Sequence, residues 1–196
     1  MKLLNIFLIS LFLFSCTTKL PQDYFYNLDV SYKEKLFYGQ PLTGNVEIKD
    51  ITANGLLSGQ AIVFVDKKGE YSTYKHAYWE KTPEVVLEEK LKEFLLKSAT
   101  VEDVVSGNGD NISDYDIFAQ IENLEQKEVE TGQIYGYVKI KFSVFDKNKK
   151  KMILLDRYES KKELPSENID IFVSSVSSEI KEILNNLIED LRGRLS

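Results

Sequence analysis

The stretch Gln60–Lys97, QAIVFVDKKGEYSTYKHAYWEKTPEVVLEEKLKEFLLK, spells out a strand, a hairpin turn, a second strand and a helix in unbroken order. Gln60–Asp66 is a compact apolar run of strand length and composition. Lys67-Lys68-Gly69-Glu70 is polar with one glycine, which favours a hairpin loop. Tyr71–Trp79 alternates, with Tyr71, Thr73, Lys75, Ala77 and Trp79 on one face and Ser72, Tyr74, His76 and Tyr78 on the other. Pro83 then opens a helix with Thr82 as its cap, because proline has no amide proton to lose there and its backbone angle is already helical. Val86, Leu87, Leu91, Phe94 and Leu95 recur at helical spacing up to Lys97.

Downstream, three further strands are expected over Tyr115–Leu124, Gly136–Phe145 and Met152–Ser160. The middle one is the clearest: Val138, Ile140, Phe142 and Val144 alternate with Lys139, Lys141 and Ser143, and Asp146–Lys149 makes the turn. Alternation with one wet side favours an antiparallel sheet with one covered face. Ser166 or Asn168 caps a long helix whose stripe runs from Ile169 and Phe172 to Leu191, with Arg192 and Arg194 at the negative end of its dipole. Upstream, the aromatic Asp23–Leu28 begins the folded domain, Val46, Ile48 and Ile51 mark a strand, and Gly55 and Gly59 bracket a turn. Ser106–Asn111 is the most loop-like segment. The reading is an α+β fold: a mainly antiparallel sheet with two helices packed on one face.

The chain opens MKLLNIFLISLFLFSC. Lys2 and the amino terminus form a small positive region, and Leu3–Phe14 is apolar except for Asn5 and Ser10. Such a run is too short for a spanning helix, which takes roughly 20 apolar residues, and reads as a secretory signal. Leu13-Phe14-Ser15-Cys16 resembles the bacterial lipobox. An aliphatic residue stands three before the cysteine and a small one just before it; Phe14 departs from the usual small or β-branched residue. The expected organisation is a cleaved signal over 1–15, a lipid-bearing Cys16 with a tether over 16–23, and one domain over 24–196. Cys16 is the only cysteine, so no disulfide can form within the chain and stability must come from a core.

Composition permits such a core. Of 196 residues, 43% are hydrophobic and 29% charged, and the formal net charge is −6. Loss of the signal removes Lys2 alone, leaving 24 basic and 31 acidic residues, a net charge of −7. No clustered basic face exists for nucleic acid. An acidic body also gains nothing from anionic lipid, so attachment to a membrane would rest on the acyl chains, of which stable anchoring takes two or more.

The search for chemistry yields no catalytic constellation, no cofactor motif and no metal set, so the chain reads as a non-enzyme. His76 is the only histidine. No G-x-S-x-G, P-loop or dinucleotide fingerprint occurs. Asp110, Asp114 and Asp116 fail as a calcium loop, since Ile112, Tyr115 and Ile121 stand where ligands and a glycine belong. Glu88-Glu89 and Glu125–Glu130 read as solvated faces, and Lys147–Lys151 as a hairpin tip. The aromatics say more. Tyr71, Tyr74, Tyr78 and Trp79 crowd one strand, and alternation prevents all of them from entering one core. Either some pack over a sheet edge, or Tyr74, His76, Tyr78, Trp79 and Pro83 present a partner-binding surface, where tyrosine and tryptophan are enriched.

The order of these features resembles the ABC-type transport auxiliary lipoprotein family. The likeness runs through Cys16, Tyr26-Asn27-Leu28, Val46-Glu47-Ile48, the Tyr-rich strand ending at Trp79, and the helix carrying Pro83, Leu87 and Leu91. It is strong over Ile62–Leu96 and thin beyond Val101. The resemblance implies a lipid-anchored, periplasm-facing protein of the outer membrane serving a lipid-trafficking system of the mammalian-cell-entry (MCE) type. Its implied partners are the MCE protein spanning the periplasm, phospholipid and further copies of itself. Thr17 and Thr18 follow the cysteine; the Asp that retains enteric lipoproteins at the inner membrane is missing. A rival reading, a lipoprotein regulator of an envelope enzyme such as a cell-wall synthase, is disfavoured by the short tether.

Overall fold

The computed structural model describes residues 21–32, 44–105 and 113–195. The leader, Cys16, the tether as far as Leu20 and all of the Ser106–Asn111 segment lie outside the described residues. The elements in chain order are β1 (Tyr24–Tyr26), β2 (Val46–Ala53), a 3-10 turn (Gly55–Ser58), β3 (Ala61–Val65), β4 (Tyr71–Trp79), α1 (Pro83–Lys97), β5 (Val104–Val105), β6 (Tyr115–Glu128), β7 (Ile134–Asp146), β8 (Lys151–Leu164) and α2 (Ile169–Leu195). This is the α+β fold expected from the sequence, with both helices on one face of an eight-stranded, mainly antiparallel sheet.

Strand β6 is the spine. Along one edge it pairs antiparallel with β7 from Tyr115↔Asp146 to Glu128↔Ile134, and β7 pairs in turn with β8. The opposite edge is shared end to end. Strand β2 lies parallel along Tyr115–Ile121, and β3 lies parallel along Glu125–Lys127. Between them the chain pinches out as the 3-10 turn, where the Asn54 N–H donates to the Ile121 carbonyl at 3.3 Å. Two strands thus do the work of one long one. Strand β5 flanks β2, while β4 and then the edge strand β1 extend the sheet beyond β3.

The alternation read from the sequence decides which face is covered. Val138, Ile140, Phe142 and Val144 of β7 are buried, as are Ile117, Ala119 and Ile121 of β6. From α1 they meet Val86, Leu87, Leu91, Phe94 and Leu95, and from α2 Phe172, Val176, Ile180, Ile183, Leu184 and Leu187. Each fully buried aliphatic or aromatic side chain contributes about 1.5–3 kcal/mol relative to exposure. The other face is wet. Glu122 of β6 takes Arg157 at 2.9 Å and Lys139 at 3.9 Å, and Lys139 also reaches Glu159 at 3.7 Å. Ion pairs on a solvent-facing sheet surface add little stability each.

Helix ends differ from one another in a way the sequence only half disclosed. The Asn168 Oδ1 accepts from the Asp170 N–H at 2.8 Å and the Ile171 N–H at 3.2 Å, so Asn168 rather than Ser166 caps α2. Thr82 makes no side-chain cap; only its carbonyl accepts, from the Val86 N–H at 3.2 Å. At the far ends the Arg192 Nη1–H donates to the Ser98 carbonyl at 2.8 Å, tying the end of α2 to the end of α1.

Besides the Thr82 cap, two sequence expectations need correction. Strand β4 does not alternate throughout: Val63 pairs with Thr73 but Ala61 pairs with Tyr78, so β4 carries three extra residues in a bulge. An odd insertion reverses the phase, and Tyr71 is exposed while Ala77 and Trp79 are buried. Glu125 is not solvated but fully buried, accepting from the Asn123 amide at 2.7 Å and the Leu124 N–H at 2.9 Å. Burial pushes its carboxyl above the ordinary range.

Candidate functional site

The bulge in β4 is built around His76, which has φ +59°, a left-handed conformation uncommon outside glycine but tolerated by histidine. Its Nδ1 lies 2.8 Å from the Asp23 Oδ1. A carboxylate only accepts, so Nδ1 carries the proton. That bond fixes the residue just before β1 against the bulge and holds β1 in parallel register with Ala77–Trp79. Among the described residues this short edge strand pairs on one side only.

The aromatics divide around this bulge. Trp79 is 2% exposed and stands 6.2 Å from the Phe172 ring of α2, so it belongs to the core, as does the buried Pro83. Tyr78 points the other way and stacks at 5.8 Å on Phe25, itself 64% exposed. Tyr24 and Tyr71 are also exposed. Tyr74 is half-buried, its ring 5.1 Å from Phe64, and burial aided by the Glu167 charge pushes its phenol up to about 12. Of the residues singled out on the sequence, the structure gathers His76 and Tyr78 on the β1–β4 edge, separates Tyr74 toward β3, and takes Trp79 and Pro83 inside. Phe25 and Tyr24 join the edge because parallel pairing brings β1 alongside β4 from more than fifty residues away, and no local pattern announces that.

The chemistry of this edge is apolar and aromatic. Among the described residues no group of three His, Cys, Asp or Glu side chains is placed to hold a metal ion. Asp114 is committed to structure: its Oδ2 accepts from the Asn45 N–H at 3.0 Å and its Oδ1 from the Asn148 amide at 3.1 Å. Among the described residues no helix is long and apolar enough to cross a membrane.

One further polar group is held with care. Glu179 of α2 is fully buried over β7, its Oε1 accepting from the Ser175 hydroxyl at 2.8 Å while Oε2 has no partner. It sits in a notch left by Gly136, where an added Cβ would meet its Oε1 at 2.7 Å. Burial pushes this carboxyl up to about 7, with the Ser175 hydroxyl and Lys162 pulling it back.

No family model and no curated protein matches the sequence. Solved structures do match in fold. Protein XCC0632 from Xanthomonas campestris, of the family designated DUF330, is 12% identical with a TM-score of 0.72 over 84% of this chain and 92% of its own. An uncharacterized protein is 9% identical with a TM-score of 0.66 over 87% and 99%. The hypothetical protein CT253 from Chlamydia trachomatis is 12% identical with a TM-score of 0.53 over 78% and 98%. The sheet and its two helices are therefore a fold this chain shares with these proteins at 9–12% sequence identity.

Proposed function

We propose that the chain is a non-catalytic lipoprotein, anchored through Cys16 in the outer membrane and facing the periplasm, that docks the conduit of an ABC-type, MCE-linked lipid transport system. The observation that carries this reading is the aromatic edge at β1. Phe25 and Tyr24 are exposed beside Tyr78 on an edge strand that begins eight residues after the lipobox cysteine. Eight residues of extended chain span at most about 28 Å, so an acyl anchor at Cys16 holds this edge near the bilayer surface, where a conduit arriving from across the periplasm would meet it. Exposed, rigid aromatics on a strand with a free side suit a protein partner. Energy for transport would come from the partner ATPase.

The test has two arms. Cys16→Ser is expected to move the mature chain from the membrane to the soluble fraction, with mass spectrometry showing the acyl groups on the parent protein. Co-purification with the MCE component from detergent extracts is expected for the parent and lost for Phe25→Ser combined with Tyr78→Ser. Absence of the complex in cells making both proteins would count heavily against the transport role.

A further inference from the structure

At the opposite edge of the sheet from β1, strand β8 lies open. Among the described residues it pairs with β7 alone, and its fourteen residues contain no proline. The Arg157 N–H donates to the Asp156 Oδ1 at 2.8 Å rather than to β7. Arg157 therefore turns its backbone groups to the open side and, by alternation, so do Glu159, Lys161 and Glu163. From Leu155 to Glu163 every residue is exposed or half-buried, so α2 does not seal this edge. Charge on an edge strand ordinarily keeps other strands away. Here the charges carry an order. Arg157, Glu159, Lys161 and Glu163 share the solvent face with Lys141, Lys139, Tyr137 and Tyr135 of β7, and along β8 their signs run plus, minus, plus, minus.

We propose that β8 pairs antiparallel with β8 of a second copy of this chain, about a two-fold axis at Ser160, joining two sheets into one. In that register Arg157 opposes Glu163 of the second copy, and Glu159 opposes Lys161. The axis repeats both pairs, so every charge on the solvent face meets its opposite. Other registers do worse. An axis at Glu159 or Lys161 sets like charges against each other, one at Tyr158 or Lys162 keeps only half of the pairs, and a parallel in-register pairing puts each charge against itself. Arg157 is free to serve: its Nε holds Glu122 at 2.9 Å, while its terminal N–H groups hold no carboxylate among the described residues. Asp156 gives up the Arg157 N–H, which then donates to the Glu163 carbonyl of the second copy. Such an interface is the same patch on both chains and closes at two copies. It rests on neither the lipid anchor nor the transport reading, because β8 and its solvent face lie across the sheet from the aromatic edge.

The experiment follows the full chain in density-matched detergent by sedimentation equilibrium across a dilution series. The parent is expected to be a reversible dimer. Glu159→Lys sets lysine against Lys161 on both sides of the axis and should raise the dissociation constant at least about tenfold; Lys161→Glu should do the same. The two together restore opposite signs and should restore the dimer. Ser160→Cys gives a second test without any change of charge. Residues opposed on the axis in a non-hydrogen-bonded pair lie about 4.5 Å apart at Cα, within disulfide range. An intermolecular disulfide through residue 160, mapped by peptide mass spectrometry, is therefore expected. Lys162→Cys stands out of register with its own copy and should not link. Unfolding midpoints separate lost pairing from lost folding. A monomer at every concentration, a dimer indifferent to both single reversals, or a folded double reversal that stays monomeric overturns the proposal. Equal linking of Ser160→Cys and Lys162→Cys overturns it too.

Discussion

On one side of β6, strands β7 and β8 run for thirteen and fourteen residues in antiparallel register under a helix of twenty-seven residues. On the other, β1, β3 and β4 span three, five and nine residues, mix parallel with antiparallel pairing, and carry a three-residue bulge where the long strands shift register by one residue. The first half buries an aliphatic stripe and shows water a ladder of charges. The second exposes Tyr24, Phe25 and Tyr71. Regularity holds the molecule together, and irregularity gives it surfaces that water does not favour.

Substitutions in the two halves should differ sharply in their cost. The largest effect should come from Phe142→Ala in β7, where a fully buried ring leaves a cavity; a loss of about 3–5 kcal/mol in urea unfolding is expected. Phe25→Ala, by the same measurement, should change stability by less than about 0.5 kcal/mol, because its ring is mostly in solvent.

Next comes Glu179. Its folded pKa of about 7 exceeds the unfolded value of about 4.3, so the folded state binds the proton more tightly. The resulting stabilisation is complete below about pH 4.3 and is lost as pH rises through 7. Unfolding free energy should fall by about 2 kcal/mol between pH 5 and pH 7.5, and Glu179→Gln should flatten the profile. Glu125 is raised as well and adds a slope of the same sign, which the substitution leaves in place. Glu47, Glu93 and Asp146 are lowered by their lysine partners and hydrogen bonds, and titrate below this window.

Gly136→Ala should cost about 1–2 kcal/mol by driving a methyl into the Glu179 carboxyl and the Ser175 hydroxyl, which lies 3.2 Å from the added carbon. In a Glu179→Ala background most of that cost should vanish, giving a measurable coupling in a double-mutant cycle. The smallest difference is between the helix starts. Asn168→Ala should lose about 1 kcal/mol, and Thr82→Ala only a few tenths, since the threonine side chain caps nothing.

What could be read from residues alone follows the same division. The limits of β4 and α1 fall where their patterns place them, because Pro83, Trp79 and the Lys67–Glu70 turn are strong local punctuation. The alternation of β7 names its buried face residue by residue. Phase within β4 was not legible: His76 adopts a left-handed backbone and meets a partner fifty-three residues away, and periodicity cannot register either. Nor was the burial of Glu125, whose neighbours Val63 and Tyr137 arrive from two other strands. The aromatic edge was half legible. Its tyrosines stood out, but the phenylalanine that completes it comes from β1. Cys16 lies outside the described residues, so its role stands on the lipobox pattern.

The Glu179 side chain seated over Gly136 behaves as a key in a slot. A helix can ordinarily slip along a smooth sheet by trading one ridge of side chains for the next, but here any sliding would press a carboxyl against strand backbone. The long helix therefore has a single longitudinal setting. Ten residues separate the helix start at Ile169 from that notch, about 15 Å at helical rise. A methyl group added at Gly136 would press on the Glu179 carboxyl and be felt along that whole length.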